Sequence, residues 1–151
     1  MKAIKITIFI CICIMYSYAS HSSQVNIYTW KGVEIATPMD FMLQDKDNIA
    51  IISNEEKNPR SFLVIYESNS TSENILQNLR KKNTTIEIQS VESTNIAGFS
   101  CTRINGVYIA DRKLHITYII NDHAIKVIYN GSINDFDMYQ RIIESLKFKN
   151  Q

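Results

Sequence analysis

Glycine and proline are scarce here, four and two in 151 residues. That scarcity excludes collagen-like repeats, Pro-rich linkers and the Gly-rich loops that cradle phosphates. No internal repeat or low-complexity segment divides the chain, so one domain is the natural count. Cysteine is scarcer than its total of three suggests, because Cys11 and Cys13 fall within the first nineteen residues. Beyond them only Cys101 remains, and a single thiol excludes an internal disulfide. The fold must then be held by its core, and roughly 130 residues can bury about two-thirds of their unfolded surface. A lone thiol in an oxidising compartment is safe only when buried, so Cys101 is expected to face inward as a small hydrophobe.

The N-terminus, "MKAIKITIFICICIMYSYA", has Lys2 and Lys5, an apolar run from Ile6 to Met15, and then Ser17-Tyr18-Ala19 with small side chains at its first and third positions. This is the pattern of a secretory signal peptide. The run is shorter than the ~20 apolar residues of a bilayer span, so no stable membrane insertion is expected after cleavage. Ile10 and Ile12 precede Cys11 and Cys13, where a lipid-attachment cysteine would follow a small residue. Residues 1–19 are therefore read as a signal peptide and 20–151 as a single domain, periplasmic or secreted. Cleavage takes Lys2 and Lys5 from sixteen basic residues and leaves fourteen against fifteen acids, a formal charge of −1. No basic footprint for nucleic acid or an anionic membrane survives.

Along the rest of the chain, "QVNIYTWKGVEIAT" alternates on both sides of Lys31-Gly32 and predicts a hairpin. "PMDFMLQ" predicts a short helical turn opened by Pro38, with Phe41 and Met42 available to the core. "NIAIIS" and "SFLVIYES" read as strands joined by the polar "NEEKNPR". Ser70 and Glu73 form a capping box ahead of a helix whose stripe is Ile75, Leu76 and Leu79, with Arg80, Lys81 and Lys82 at its C-terminal end. "TIEIQSVEST" and "IAGFSCTRI" continue as strands. Asn105-Gly106 predicts a hairpin that sets Phe99, Cys101, Tyr108 and Ala110 on one face. A two-residue turn at Asn121-Asp122 would pair Tyr118 with Ile125, Ile116 with Val127 and Leu114 with Tyr129, leaving His115 on the opposite, less apolar face. Because the apolar parity flips between Ile109 and Leu114, a bulge or break is expected within Ala110 to Lys113. "SINDFDMYQRIIESLKF" predicts a closing helix with Phe136, Tyr139, Ile142, Ile143 and Leu146 inward, capped by Ser132 or Asn134. The fold class is α+β, an antiparallel sheet flanked by helices.

The residues that carry chemistry elsewhere are few and scattered. His21 lies in a polar tail, and His115 and His123 lack the spacing of metal ligands, so no metal and no cofactor is expected. "DKDNIAIISNEE" sets Asp45, Asp47 and Glu56 at the first, third and twelfth positions of a calcium-loop count. However, Ile49 stands where an oxygen ligand belongs and Ala50 where glycine makes the turn, and a strand would hold the acids roughly 20 Å apart. There is no GxSxG and no favoured pair of acids. Asn69, Asn83 and Asn130 open glycosylation triplets that arise by chance in a chain this rich in Asn, Ser and Thr. The expectation is a protein without catalytic residues.

The element order resembles that of the PsbP-like family, which includes DcrB-like bacterial envelope proteins and some immunity proteins of type VI secretion systems. The residues carrying the likeness are "WKGVEIATPMDF", the helix after "SFLVIYES", the strands from "IAGFSCTRI" to "AIKVIYNG", and "RIIESLKF". The resemblance implies a three-layer α/β/α sandwich around an antiparallel sheet and a non-catalytic binding role. The expected partner is therefore a protein, in the most concrete form a cognate effector toxin occluded by an immunity protein. An envelope accessory or small-ligand carrier, or a hydrolase, is the alternative. The loops nominated for the partner are "NEEKNPR" and "NDH", through Glu55, Glu56, Lys57, Arg60, Asp122 and His123.

Overall fold

The computed structural model describes residues 24–55, 59–81, 85–120 and 124–149. Strands β1 (Val25–Trp30), β2 (Val33–Pro38) and β10 (Lys147–Phe148) form a small sheet in the order β1-β2-β10. A seven-stranded sheet joins β3 (Met42–Lys46), β4 (Ile49–Ser53), β5 (Phe62–Glu67), β6 (Ile86–Ile96), β7 (Phe99–Tyr108), β8 (Leu114–Ile120) and β9 (Ile125–Gly131) in the order β3-β4-β5-β9-β8-β7-β6. Helix α1 (Ser72–Lys81) follows β5 and helix α2 (Phe136–Glu144) follows β9. All neighbouring strands are antiparallel.

Alternation decides which side of each strand is inward. Trp30, Val33 and Ile35 of the small sheet join Ile52, Leu63, Ile65, Tyr118, Val127 and Tyr129 of the large one in a single core. Helix α2 adds Tyr139, Ile142 and Ile143, and Leu146 follows just beyond it. Each such side chain, fully buried, contributes roughly 1.5–3 kcal/mol of transfer free energy. Helix α1 buries no residue and meets the sheet through the hydrogen bond between Ser72 Oγ and Thr102 Oγ1, 3.1 Å. The result is sheet-dominated, two antiparallel sheets with two helices among the described residues.

The Lys31-Gly32 hairpin forms as expected, with both residues left-handed at φ 44° and 79°. Other turns differ. Pro38 closes β2 instead of opening a helix: the Phe41 N–H donates to the Pro38 carbonyl at 3.0 Å, and β3 starts at Met42. Strand alternation then sends Phe41 inward and leaves Met42 exposed. The N-cap of α1 is Thr71, whose Oγ1 accepts from the Asn74 N–H at 3.3 Å, one residue later than the predicted Ser70. Asn105-Gly106 lies inside β7, and the hairpin turn is at Ala97-Gly98, φ 53° and 87°. Tyr108 thus lies on the sheet face opposite Cys101, and Arg103 pairs with Tyr118 of β8. The break expected between Ala110 and Lys113 is a full chain reversal, with Arg112 at φ 58° and the Tyr108 N–H bonded to the Lys113 carbonyl.

The β8–β9 register is Tyr118 to Val127 and Ile116 to Tyr129, two residues from the predicted pairing. A slip of two preserves parity, so every side chain faces as expected. Asn121 and Asp122 themselves lie outside the described residues. Helix α2 is capped by Asp135, without a side-chain bond to the helix, because its carboxylate accepts from Ser61 Oγ at 2.6 Å. It ends at Glu144, and Lys147–Phe148 pair with β2.

Candidate functional site

The face of β8 turned away from the core carries His115, Thr117 and Ile119, with Lys126 and Asn130 opposite on β9. His115 is buried and its ring nitrogens are both engaged. Asn130 Oδ1 lies 2.6 Å from Nδ1 and can only accept, so Nδ1 carries the proton. Nε2 then accepts from Thr117 Oγ1 at 3.3 Å. Tyr108 donates to the same Asn130 oxygen at 3.1 Å and stands edge-on to the imidazole. Burial pushes the His115 pKa down and the Asn130 bond opposes it. His115 is thus a residue of the sheet whose two ring nitrogens both have hydrogen-bond partners. Cys101 is likewise buried, and burial raises its thiol pKa against the pull of Arg103. Among the described residues no three of His, Cys, Asp and Glu gather as metal ligands would. Asp45 sits in β3 opposite Ala50, and Asp47 occupies the β3–β4 turn at φ 54°.

Tyr108 and Asn130 also form one wall of a cavity of about 570 Å³. Phe62, at the start of β5, and Ile109 and Ala110, just past β7, supply apolar surface. Arg60, Lys113 and Asp111 supply charge. The β7–β8 loop is held by the Ile109 N–H to the Thr85 carbonyl, ahead of β6, at 2.9 Å and by the Arg112 N–H to the Tyr108 carbonyl at 2.9 Å. Lys113 reaches Asp111 at 3.1 Å and, with further backbone bonding, holds that carboxyl below its ordinary pKa. Arg112 pairs with Glu87 of β6 at 3.1 Å, tying the loop to the sheet edge. Ser61, next to Arg60, is anchored by Asp135, by the Ser132 N–H and by the Tyr139 phenol.

A second recess of about 460 Å³ is lined by Ser68 to Glu73, Ile119, Ile120 and Ala124. It lies at the other end of β8, roughly 20 Å away at ~3.3 Å per residue. Beside it Lys126, 1% exposed, donates to Ser68 Oγ and lies 5.8 Å from the Tyr66 ring centre. Burial lowers its pKa.

Of the residues nominated from sequence, Arg60 lines the larger cavity. Glu55 is exposed, and its carbonyl accepts from Ser53 Oγ at 2.7 Å. Glu56, Lys57, Asp122 and His123 lie outside the described residues. β8 ends at Ile120 and β9 begins at Ile125, at the end of the hairpin far from the cavity. Sequence reasoning missed Phe62, Tyr108, Ile109, Lys113 and Asn130. The parity break between Ile109 and Leu114 was the one signal that an exposed loop stood there.

Among the described residues no helix is long and apolar enough to cross a membrane. No protein-family model matches this chain, and no curated protein matches it. The solution structure of cyanobacterial PsbP (CyanoP) from Synechocystis sp. PCC 6803 is similar over 86% of this chain and 95% of that one, with a TM-score of 0.60 and 8% identity. The crystal structure of PA94, a protein of unknown function from Pseudomonas aeruginosa, is similar over 85% of this chain and 99% of that one, with a TM-score of 0.56 and 12% identity. At such identities the likeness speaks for architecture alone: the fold is PsbP-like.

Proposed function

We propose that this chain is a non-catalytic binding protein of an extracytoplasmic compartment, and that it holds a protein partner at the cavity beside the β7–β8 loop. The observation supporting this reading is the make-up of that cavity, with Phe62, Ile109 and Ala110 as apolar surface and Arg60 and Lys113 as cations beside a single acid, Asp111. An apolar recess flanked by an arginine, once a partner seals it from water, is the setting in which an anchor residue yields most of the binding energy. The leader-like first nineteen residues support export. The most concrete form of the reading is an immunity protein whose surface occludes a secreted toxin, a role found among proteins of the PsbP-like family whose element order this sequence resembles. A second reading is a carrier of a small apolar anion, favoured by a volume of about 570 Å³ that suits such a ligand.

Affinity capture of the full chain from envelope extract, run beside Ile109→Arg, tests the first reading. Ile109 is 52% exposed, so the substitution crowds the cavity without entering the core. A stoichiometric larger protein retained by the parent and lost by the variant is the expected result. Capture unaffected by the variant, or no partner under several growth conditions, overturns it. Native mass spectrometry of the purified chain decides the second reading, through a bound small molecule that Ile109→Arg displaces.

A further inference from the structure

The two sheets have four outer strands among the described residues: β1 and β10 on the small sheet, β3 and β6 on the large one. An open strand edge pairs readily with another chain, and proteins blunt such edges with charge, proline, bulges or brevity. Strand β6 carries Glu87, Glu92 and a register shift between Ile88 and Ser90. Strand β3 carries Asp45 and Lys46. Strand β10 is two residues long and includes Lys147, paired with Glu34. Strand β1, VNIYTW, has none of these devices: no charge, no proline, and an unbroken six-pair register with β2 from Val25–Pro38 to Trp30–Val33.

The hairpin also fixes which main-chain groups face outward. A two-residue turn makes the flanking pair, Trp30 and Val33, a hydrogen-bonded one, and the pattern alternates down the ladder through Tyr28 and Asn26. The N–H and C=O groups of Val25, Ile27 and Thr29 are therefore turned to the open side. Their side chains lie on the outer face of the small sheet, where Val25 is 52% exposed and Ile27 63%. Ala36 and Pro38 sit opposite them on β2, and Met39, 56% exposed, follows. The inner-face residues are already committed: Tyr28 donates to the Phe41 carbonyl at 3.1 Å, and Trp30 Nε1 to Asp45 at 3.3 Å.

We propose that β1 is a self-association edge, which pairs antiparallel with β1 of a second copy about a two-fold axis at Ile27. Ile27 then faces Ile27 of the second copy, and Val25 faces Thr29 in both directions. The three outward-turned residues of each strand satisfy one another in a six-stranded sheet of order β10-β2-β1-β1-β2-β10. The occupant is a second copy because the edge is self-complementary. With no charged side chain on the strand, two identical edges meet without like-charge repulsion, whereas a chosen foreign strand would call for a charge or pocket to select it. The contact is a strand edge and one narrow stripe, so it belongs with small, reversible interfaces.

Sedimentation velocity of protein purified after expression of the full chain, from about 10 to about 500 μM, tests this. The weight-average mass is expected to climb towards twice the monomer value. Ile27→Lys places a blocking charge on the edge and should hold the protein monomeric across the range, with the parent's circular dichroism and unfolding temperature. Hydrogen exchange gives the second measure: the amides of Val25, Ile27 and Thr29 should slow on concentration, while those of Asn26 and Tyr28, already bonded to β2, should not change. A parent that stays monomeric, a dimer that Ile27→Lys leaves intact, or unchanged exchange at those three amides each overturns the proposal.

Discussion

The phenol of Tyr139, on α2, donates to the main-chain carbonyl of Ser61 at 2.5 Å, across 78 residues of sequence. It fastens the helix to the residue immediately beside Arg60, so the core and the cavity wall share one bond. Burial, with the neighbouring Tyr129 and Asp135, drives the Tyr139 pKa upward, which keeps the phenol protonated and donating. Tyr139→Phe keeps the ring and its edge-on contact with Phe41, at 5.3 Å, and leaves the Ser61 carbonyl unpaired. The expected cost is about 1–3 kcal/mol, read from urea unfolding with an unchanged m-value. A variant as stable as the parent would mean that water replaces the phenol without loss.

Gly106 was read from sequence as a turn residue, and the structure gives it a different reason to be glycine. It lies in mid-strand, and a Cβ there would meet Ile86 Cγ2 at 2.8 Å and the Glu87 carbonyl at 3.2 Å. Gly98 is the reverse case, with open space around it but φ of 87°. Gly106→Ala should cost about 1–3 kcal/mol by overpacking β6 against β7, and Ile86→Ala in the same chain should recover part of it, since the clash is pairwise. Gly98→Ala should lose about 1–2 kcal/mol through backbone strain and show no such rescue. Thermal unfolding of these variants separates the two causes.

Parity was legible in the sequence wherever a strand has one wet and one dry face. Tyr118, Val127 and Tyr129 face the core as their alternation required, even though their pairing is two residues off. Register was not legible, because it depends on turn length, and Asn-Gly and Asn-Asp are only statistical markers of a turn. Ala97 in a left-handed conformation before Gly98 carries no such marker. The small sheet was hidden for a related reason: its third strand is two residues after a helix, too short to leave a pattern. The cavity was hidden because Arg60, Thr85, Tyr108, Lys113 and Asn130 come from separate stretches that only tertiary structure unites.

The buried imidazole of His115 makes stability depend on pH in a definite direction. Its folded pKa lies below the ordinary value of 6.5, chiefly through burial. Between the two values the unfolded chain binds more protons than the folded one, so stability rises with pH through that window. Its contribution is complete above pH 6.5 and is lost as pH falls through the folded value. Unfolding followed by denaturant from pH 7.5 to 5 should show the decline, and His115→Gln should remove the part of it that belongs to this residue. The imidazole resonances of the parent should titrate below those of an exposed histidine. A normal midpoint would show that the ring is reached by water.

Lys126 poses the opposite chemical problem with the same slope. Its side chain is almost fully buried, and loss of water disfavours the ammonium, so its pKa lies below the ordinary 10.5. As the pH rises towards that value, the unfolded chain retains the proton longer than the folded one, and stability should increase. Measurement must stop near pH ~10, where tyrosines in the unfolded chain begin to ionise. Lys126→Met keeps the length of the stem beside the Tyr66 ring and removes the charge. Replacing a buried ion by a hydrophobe of similar volume is often neutral or stabilising. The variant should therefore unfold at or above the parent's temperature at pH 7 and lack the rise seen as the pH climbs towards the ordinary lysine value. A loss of more than about 2 kcal/mol at pH 7 would show instead that the bond from Nζ to Ser68 outweighs the cost of burying the charge.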